Sequence, residues 1–313
     1  MLERYKQHLA NDFDLTVKEI ERVLSDEVLL HEIASLNPKQ LNALIGKAQK
    51  GFMGVLSSYI SRLKDGWGEL YKTQLSWLPR LIKPSGKPNY KAPLEIATGL
   101  SLDDVMGRFS DDVAKRLTGA IRLAHHKGLD NNKLLQLIRG TRANRFNDGI
   151  IAYSKRQANT IARTGTAIVA NQAKQDFINA NRDEILGIKV VATLDARTSI
   201  ICRGRDGQYM PIDKAIYPPY HFNCRSSYTI VYKGYKDPEH RASMNGVVEN
   251  KPYYEWLKDQ LPKVQDMALG KTRAEIFRSG KLTPKQFANL QLDKNFEPIT
   301  LDEMRKIAPD LFE

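Results

Sequence analysis

The sequence contains few of the features that mark secreted or membrane proteins. Only two of its 313 residues are cysteine, which is too few for a disulfide scaffold, so we expect a protein made in a reducing cytoplasm. Residues 1–6 contain no apolar segment, and no uncharged apolar run approaches the roughly 18 residues that a membrane-spanning helix requires. We therefore expect no secretory signal and no membrane partner.

The common signatures of catalysis are also missing. The sequence has no Walker-type phosphate loop, no G-x-G-x-x-G dinucleotide motif and no H-E-x-x-H zinc motif. Its 42% apolar and 27% charged residues are typical of a globular chain. We expect no catalytic residues and no enzyme activity.

The charge is strongly basic and unevenly distributed. The net charge is +12, and residues 151–236 contain 13 Lys and Arg against 6 Asp and Glu. Such a surface attracts polyanions, although a soluble basic protein without a polyanion partner is also compatible with it. No helix-turn-helix or zinc-finger spacing is present, so any binding to double-stranded DNA is expected to be independent of sequence. The candidate DNA contacts are Arg139, Arg142, Arg145, Arg203 and Arg205.

Most of the chain is predicted to be helical, because helix starts recur along it. Capping-box patterns begin at Thr16, Ser101, Thr283 and Thr300, and Asn37-Pro38 precedes an apolar stripe at helical spacing over residues 41–63. Gly270 and Gly280 are placed as helix C-terminal caps. Further helices are predicted around residues 109–121, 134–138 and 148–180.

The apolar period changes from helical to alternating in the second half of the chain. Residues 188–194 alternate in polarity, and residues 227–232 are β-branched and aromatic, so both are predicted strands. Residues 83–93 contain three prolines and a glycine and predict a linker. The expected fold is therefore α+β and predominantly helical. Its predicted parts are a helical amino-terminal region at 1–82, a proline-rich linker at 83–98, a core with a long helix and a small sheet at 99–236, and a helical tail at 237–313.

The segment between the two predicted strands is the candidate functional site. It contains both cysteines and one of the six histidines. Cys202, His221 and Cys224 offer three metal ligands, and Asp206 is a candidate fourth. A second interpretation is a nucleophilic thiolate activated by His221.

A third, favoured interpretation is a purely structural motif. Asp195 and Arg197 form hydrogen bonds with the backbone amides and carbonyls of the loop, or with Arg225. Asp206-Gly207 forms a tight turn, and Pro218-Pro219 holds the backbone before His221 in an extended conformation. The cysteines then act as small buried apolar groups, and the histidine supports the loop through hydrogen bonds. The motif comprises Asp195, Arg197, Thr198, Asp206, Gly207, Pro219, His221, Cys224 and Arg225.

The same segment resembles the signature of the Mu-F-like phage head morphogenesis family, the minor capsid proteins of tailed bacteriophages. The resemblance is carried by D-x-R-T at residues 195–198, by Cys202, by D-G at 206–207 and by P-P-x-H-x-x-C-R at 218–225. It covers roughly residues 100–313. The chain departs from the family at Gly165, where many relatives have an acidic residue, and at Ser226, where many have a further cysteine.

The resemblance implies a structural minor head protein, present in few copies, that aids head assembly and DNA packaging. It implies a location in the head interior of the virion near the portal, after synthesis in the bacterial host cytoplasm. The implied partners are the portal protein, the major capsid protein or both, and double-stranded DNA. No catalytic residues and no cofactor come with the family, although a structural zinc remains an alternative. The other interpretations are a zinc-dependent enzyme that uses Cys202, His221 and Cys224, and a scaffold-like helical protein without DNA contact.

Overall fold

The computed structural model describes residues 12–23, 26, 32–80, 86 and 101–312. The predicted linker at 83–98 lies outside the described residues except for Gly86. The chain divides into two compact units. The first consists of Met1–Gln74 and Lys91–Ala170, and the second of Leu75–Tyr90 and Asn171–Glu313.

The described part of the first unit is helical. Residues 12–23 form a helical stretch. The helices that follow are α1 (Pro38–Trp77), α2 (Leu102–His126), α3 (Asn131–Arg139) and α4 (Ile150–Ala180), of which α1 and α4 continue into the second unit. The predicted starts at Asn37 and Ser101 are confirmed. Asn37 and Gln40 exchange two side-chain to backbone hydrogen bonds of 3.0 Å each, and Ser101 and Asp104 form a capping box.

The start predicted at Thr16 is wrong. Residues 12–15 are already helical, so Thr16 lies inside the helical stretch. Its hydroxyl donates to the carbonyl of Asp12 at 3.1 Å, one helical turn earlier, and accepts a hydrogen bond from Arg62 Nη2 at 3.0 Å. A threonine inside a helix commonly bonds back to the preceding turn in this way. The hydroxyl is therefore used for packing against α1.

The apolar stripe of α1 forms much of the core of the first unit, as its spacing predicts. Phe52, Leu56, Tyr59 and Leu63 are each at most 3% exposed. Further along α1, Trp67 packs against Gly165 of α4. A Cβ atom at Gly165 would lie 2.2 Å from the indole ring, so this position accepts no larger residue without rearrangement.

The second unit contains a three-stranded antiparallel sheet. The strands are β1 (Ile185–Val191), β2 (Tyr209–Pro211) and β3 (Ser227–Tyr232), and β1 lies in the centre of the order β2-β1-β3. The prediction of β3 is confirmed, whereas β1 begins and ends three residues earlier than predicted. Ile188 pairs with Ile230 and Val190 with Tyr228, and all four side chains are buried.

A β-hairpin and six short α-helices complete the described part of the second unit. The hairpin, β4 (His240–Ser243) with β5 (Gly246–Glu249), was not predicted, although Asn245-Gly246 is a typical hairpin-turn sequence. The helices are α5 (Ile200–Arg205), α6 (Tyr253–Lys258), α7 (Pro262–Leu269), α8 (Lys271–Arg278), α9 (Pro284–Asn289) and α10 (Leu301–Ile307). Capping boxes at Thr283 and Thr300 begin the last two, as predicted.

The closing helices pack around an aromatic core. Tyr253, Trp256, Phe287 and Met304 are each at most 1% exposed. The predicted fold class, α+β and predominantly helical, is confirmed. Among the described residues, none of the helices has the length and apolarity needed to cross a bilayer.

Candidate functional site

A short helix organises the connection between β1 and β3. This helix, α5 (Ile200–Arg205), begins where the Ser199 hydroxyl accepts a hydrogen bond from the Cys202 amide at 3.2 Å. The cap places Cys202 in the first turn, with its side chain directed inward. On the far side of the connection, the amide of Cys224 donates to the carbonyl of His221 at 3.2 Å and closes a turn.

These two local structures bring three side chains together, which we call the Cys/His cluster: Cys202, His221 and Cys224. The two sulfur atoms are 3.6 Å apart, and His221 Nε2 lies 3.2 Å from Cys202 Sγ. The candidate ligand atoms all lie within 4.8 Å of one another. Both cysteines are 2% exposed. This arrangement permits metal binding, a disulfide bond or a thiolate beside an imidazole.

The two thiols of the cluster ionise as a pair. The hydrogen bond from Cys202, followed by the contact with His221, lowers the pKa of Cys224 to about 4. The same hydrogen bond to Cys224, together with burial, raises the pKa of Cys202. The hydrogen bond to Cys224 also raises the pKa of His221. The first thiol proton is therefore easily lost, and the second is strongly held.

Asp206, the predicted fourth ligand, is not part of the cluster. Its Oδ1 accepts a hydrogen bond from the Ala192 amide at 2.7 Å, and its Oδ2 accepts one from Arg241 Nη1 at 2.9 Å. Burial raises the pKa of this carboxyl group, against the opposing effect of Arg241. Within the predicted turn, the next residue, Gly207, has a φ of +76° and donates its amide to Val190 O at 2.9 Å.

Arg241 is a residue of the site that none of the predicted motifs includes. It lies on β4 with its side chain 10% exposed, and it reaches the Ala192 carbonyl as well as Asp206. The unrecognised hairpin turn at Asn245-Gly246 was the available signal, because it would have placed residue 241 on a strand. The Arg241–Asp206 pair therefore joins the hairpin to the end of β1.

Asp195 is the centre of a second polar group. Arg225 binds its carboxylate with two hydrogen bonds, of 2.5 and 2.7 Å. The amide of Arg197 and the hydroxyl of Thr198 each donate to Asp195 Oδ1 at 3.0 Å. Burial raises the pKa of Asp195, but the hydrogen bonds from Arg225 and Thr198 outweigh it, and the pKa lies below its ordinary value. Tyr253 Oη donates to the Asp195 carbonyl at 2.7 Å and fixes the backbone.

The five candidate DNA-contacting arginines fall into two classes. Arg203 and Arg205, on α5, are 9% and 6% exposed. Arg203 Nε donates to the carbonyl of Thr198 at 2.6 Å, and the Arg205 guanidinium lies 3.8 Å from the ring centre of Phe296. The prediction that these two contact DNA is wrong for this structure, because α5 turns both side chains into the interior. Arg139, Arg142 and Arg145 are exposed.

The exposed arginines lie in and next to the loop that joins α3 to α4, residues 140–149, which we call the arginine loop. Asp148 organises it: its carboxylate accepts from the amide and hydroxyl of Thr141, both at 2.7 Å, and from Asn144 Nδ2 at 2.8 Å. Arg145 and Phe146 have positive φ values of 51° and 60°. The Phe146 side chain is 53% exposed.

The fold and the site define a helix-rich α+β protein in which a compact, largely buried polar segment connects two antiparallel strands. Residues 111–229 match the family described as Phage Mu protein F like protein. The predicted resemblance to the Mu-F-like phage head morphogenesis family is therefore confirmed over these residues. A search of curated proteins and a search of solved structures gave no significant match.

Proposed function

We propose that this protein is a structural, non-catalytic minor head protein of a tailed bacteriophage that holds packaged DNA without regard to sequence. The observation that carries the proposal is the Mu-F-like match, which includes both the arginine loop and the Cys/His cluster. The burial of both cysteines supports a structural role, because cysteine residues that are 2% exposed offer little access to a substrate.

The arginine loop is the proposed DNA contact. Three arginines are exposed: Arg139 at the end of α3, and Arg142 and Arg145 in the loop. The nearby acidic residue, Asp148, accepts hydrogen bonds from Thr141 and Asn144 of the same loop. The loop therefore presents positive charge on a backbone held in one conformation. Such a surface binds phosphates through charge and positions the duplex without reading its bases.

The test is the salt dependence of binding to duplex DNA, measured by fluorescence anisotropy with two unrelated sequences. We expect equal affinity for the two sequences and a steep loss of affinity between low and moderate salt. In the variant with Arg139→Gln, Arg142→Gln and Arg145→Gln, the slope of log K against log salt should fall by as much as about 2.7, because each phosphate contact contributes about 0.9.

The matched control removes the same amount of charge from another surface. Lys258, Lys263 and Lys271 are exposed residues of the closing helices, and their replacement by Gln should leave most of the salt slope intact. Wild-type affinity that does not change with salt would contradict DNA binding. An equal loss in both triple variants would contradict the arginine loop as the contact and indicate a general effect of net charge.

The proposed protein partners are the portal protein, the major capsid protein or both, in the head interior near the portal. This assignment rests on the Mu-F-like match. Chemical cross-linking in intact heads, followed by mass spectrometry, tests it directly. Cross-links to the portal or the shell protein are expected, and their absence from heads that contain the chain would contradict the proposed docking.

A further inference from the structure

The spacing of the Cys/His cluster is close to that of ligands around a tetrahedral zinc ion. Zinc–sulfur bonds of about 2.3 Å and zinc–nitrogen bonds of about 2.0 Å at a tetrahedral angle separate two sulfurs by about 3.8 Å and a sulfur and a nitrogen by about 3.6 Å. The observed separations are 3.6 Å between the sulfurs and 3.2 Å between Cys202 Sγ and His221 Nε2. These two separations differ from the ideal values by a few tenths of an ångström, and the third pair, Cys224 and His221, has its ligand atoms within 4.8 Å.

The backbone hydrogen bond of His221 selects Nε2 as the ring nitrogen whose lone pair faces the cluster. Its Nδ1 lies 2.8 Å from the carbonyl oxygen of Phe222, which can only accept a hydrogen bond. In the neutral ring, Nδ1 therefore carries the proton, and the lone pair of Nε2 is directed toward the sulfur of Cys202. Metal-binding histidines are typically oriented by such a bond between the other nitrogen and a backbone carbonyl.

The backbone around the cluster is fixed independently of any ion. The Ser199 cap holds Cys202 at the start of α5, and the bond from the Cys224 amide to His221 O holds the other two ligands in one turn. The Ser199 hydroxyl also lies 2.8 Å from His221 Nε2 and is an oxygen donor beside the three ligands. The site is therefore built before an ion arrives.

Arg205 supplies a second, independent observation. It is 6% exposed, and its Nε and Nη1 atoms are buried without a hydrogen-bond partner among the described residues. A buried cation requires a compensating negative charge. The titratable groups that interact electrostatically with its guanidinium are Tyr220 and Cys202. The positive charge of Arg205 beside the cluster favours thiolates over neutral thiols, and the thiolate is the form of cysteine that binds a metal ion.

We propose that Cys202, His221 and Cys224 bind one structural Zn²⁺ ion that ties α5 to the turn at residues 221–224. The ion would cross-link two parts of the connection between β1 and β3. Asp206 takes no part, because its carboxylate is bound to Arg241 and the Ala192 amide. The role is structural, because the two sulfur ligands are buried from solvent.

The first test measures metal content in the full chain, purified under reducing conditions with zinc in the medium. We expect about one zinc per chain, falling to less than about a tenth in Cys224→Ser and in His221→Ala. His126→Ala, at an exposed histidine on α2, is the matched control and should retain the full amount. Full zinc content in both cluster variants would overturn the proposal, because the ion would then lie elsewhere.

A second measurement does not depend on whether the variants fold. Reduced wild-type protein, stripped with a chelator and titrated with Co²⁺, should show the absorption of thiolate-bound tetrahedral cobalt at one equivalent, and zinc should displace it. Addition of chelator to the zinc-loaded protein should lower its Tm. Failure of the reduced wild type to bind either metal would overturn the proposal, as would isolation of a metal-free form with a Cys202–Cys224 disulfide that resists conversion by reductant and zinc.

Discussion

The Asp195–Arg225 pair is a two-bond ionic contact within the connection between β1 and β3. Its side chains are 13% and 27% exposed, and the two hydrogen bonds between them are short. We expect Asp195→Ala to lower the free energy of unfolding by about 3 kcal/mol, because the partly buried Arg225 loses both hydrogen bonds to the carboxylate. Urea unfolding followed by circular dichroism measures the change.

An exposed ion pair in the same unit provides the control. Asp213 and Arg182 form a salt bridge with side chains 79% and 52% exposed. Asp213→Ala should change the free energy of unfolding by less than about 0.5 kcal/mol. Equal effects of the two substitutions would show that the Asp195–Arg225 pair contributes no more to the free energy of unfolding than an exposed ion pair does.

Asp148 gives a prediction for pH dependence. Hydrogen bonds from Asn144 and Thr141 lower the pKa of its carboxyl group from 3.8 to about 2. Because the folded pKa lies below the ordinary value, the stabilisation of the arginine loop is complete above about pH 4. It is lost as the pH falls through about 2. NMR titration of the side-chain carboxyl should show the low midpoint.

The Asn144→Ala variant checks the cause of that shift. Removal of the amide donor should move the Asp148 midpoint upward, toward the ordinary value. The carboxyl of Asp104 on α2, whose pKa is lowered by hydrogen bonds with Ser101, serves as the reference, and its midpoint should not change. An Asp148 midpoint near 4 in the wild type would contradict the hydrogen-bonded arrangement of the loop.

At the scale of the elements, two helical glycines provide a matched pair. Gly165→Ala should destabilise the protein by about 1–3 kcal/mol, because its Cβ would overlap the ring of Trp67. Gly107→Ala, at an exposed position of α2 with no atom within 4 Å, should instead stabilise it by up to about 1 kcal/mol. Thermal unfolding of the two variants measures both signs, and a gain for Gly165→Ala would contradict the close packing of α1 and α4.

The elements that the sequence predicted correctly are those determined by local interactions. Ser101, Thr283 and Thr300 each begin a helix because the capping residues lie three positions apart. Thr16 has the same local pattern, but helical residues already precede it, so tertiary context decides its role. The hairpin at Asn245-Gly246 was predictable from its turn sequence and was missed.

The site depends on interactions over longer distances, which the sequence leaves undetermined. Spacing alone suggests that Cys202, His221 and Cys224 meet. It does not show that the Asp206 carboxylate pairs with Arg241 and not with this cluster. Likewise, charge counting cannot separate the exposed Arg142 from the buried Arg203, because burial is decided by which face of α5 packs inward. Contacts between residues that are distant in sequence can be identified only once the fold is known.

At the scale of the whole molecule, the Mu-F-like match and the proposed function predict where the protein is found. Quantitative mass spectrometry of purified phage heads should detect this chain in far fewer copies than the major shell protein. Cryo-electron microscopy should locate it in the interior near the portal. Recovery of the protein from infected cells but not from particles would contradict the structural assignment.

The length of the connection between β1 and β3 affects the order of events during synthesis. Asp195 leaves the ribosome well before Arg225, and β1 cannot complete its pairing with β3 until Tyr232 has been added. A nascent chain that stops within the connection leaves one edge of the central strand and a half-buried carboxylate without partners. Because closing such a long loop costs entropy before any contact is gained, we expect the amino-terminal helices to form first and the sheet to form late.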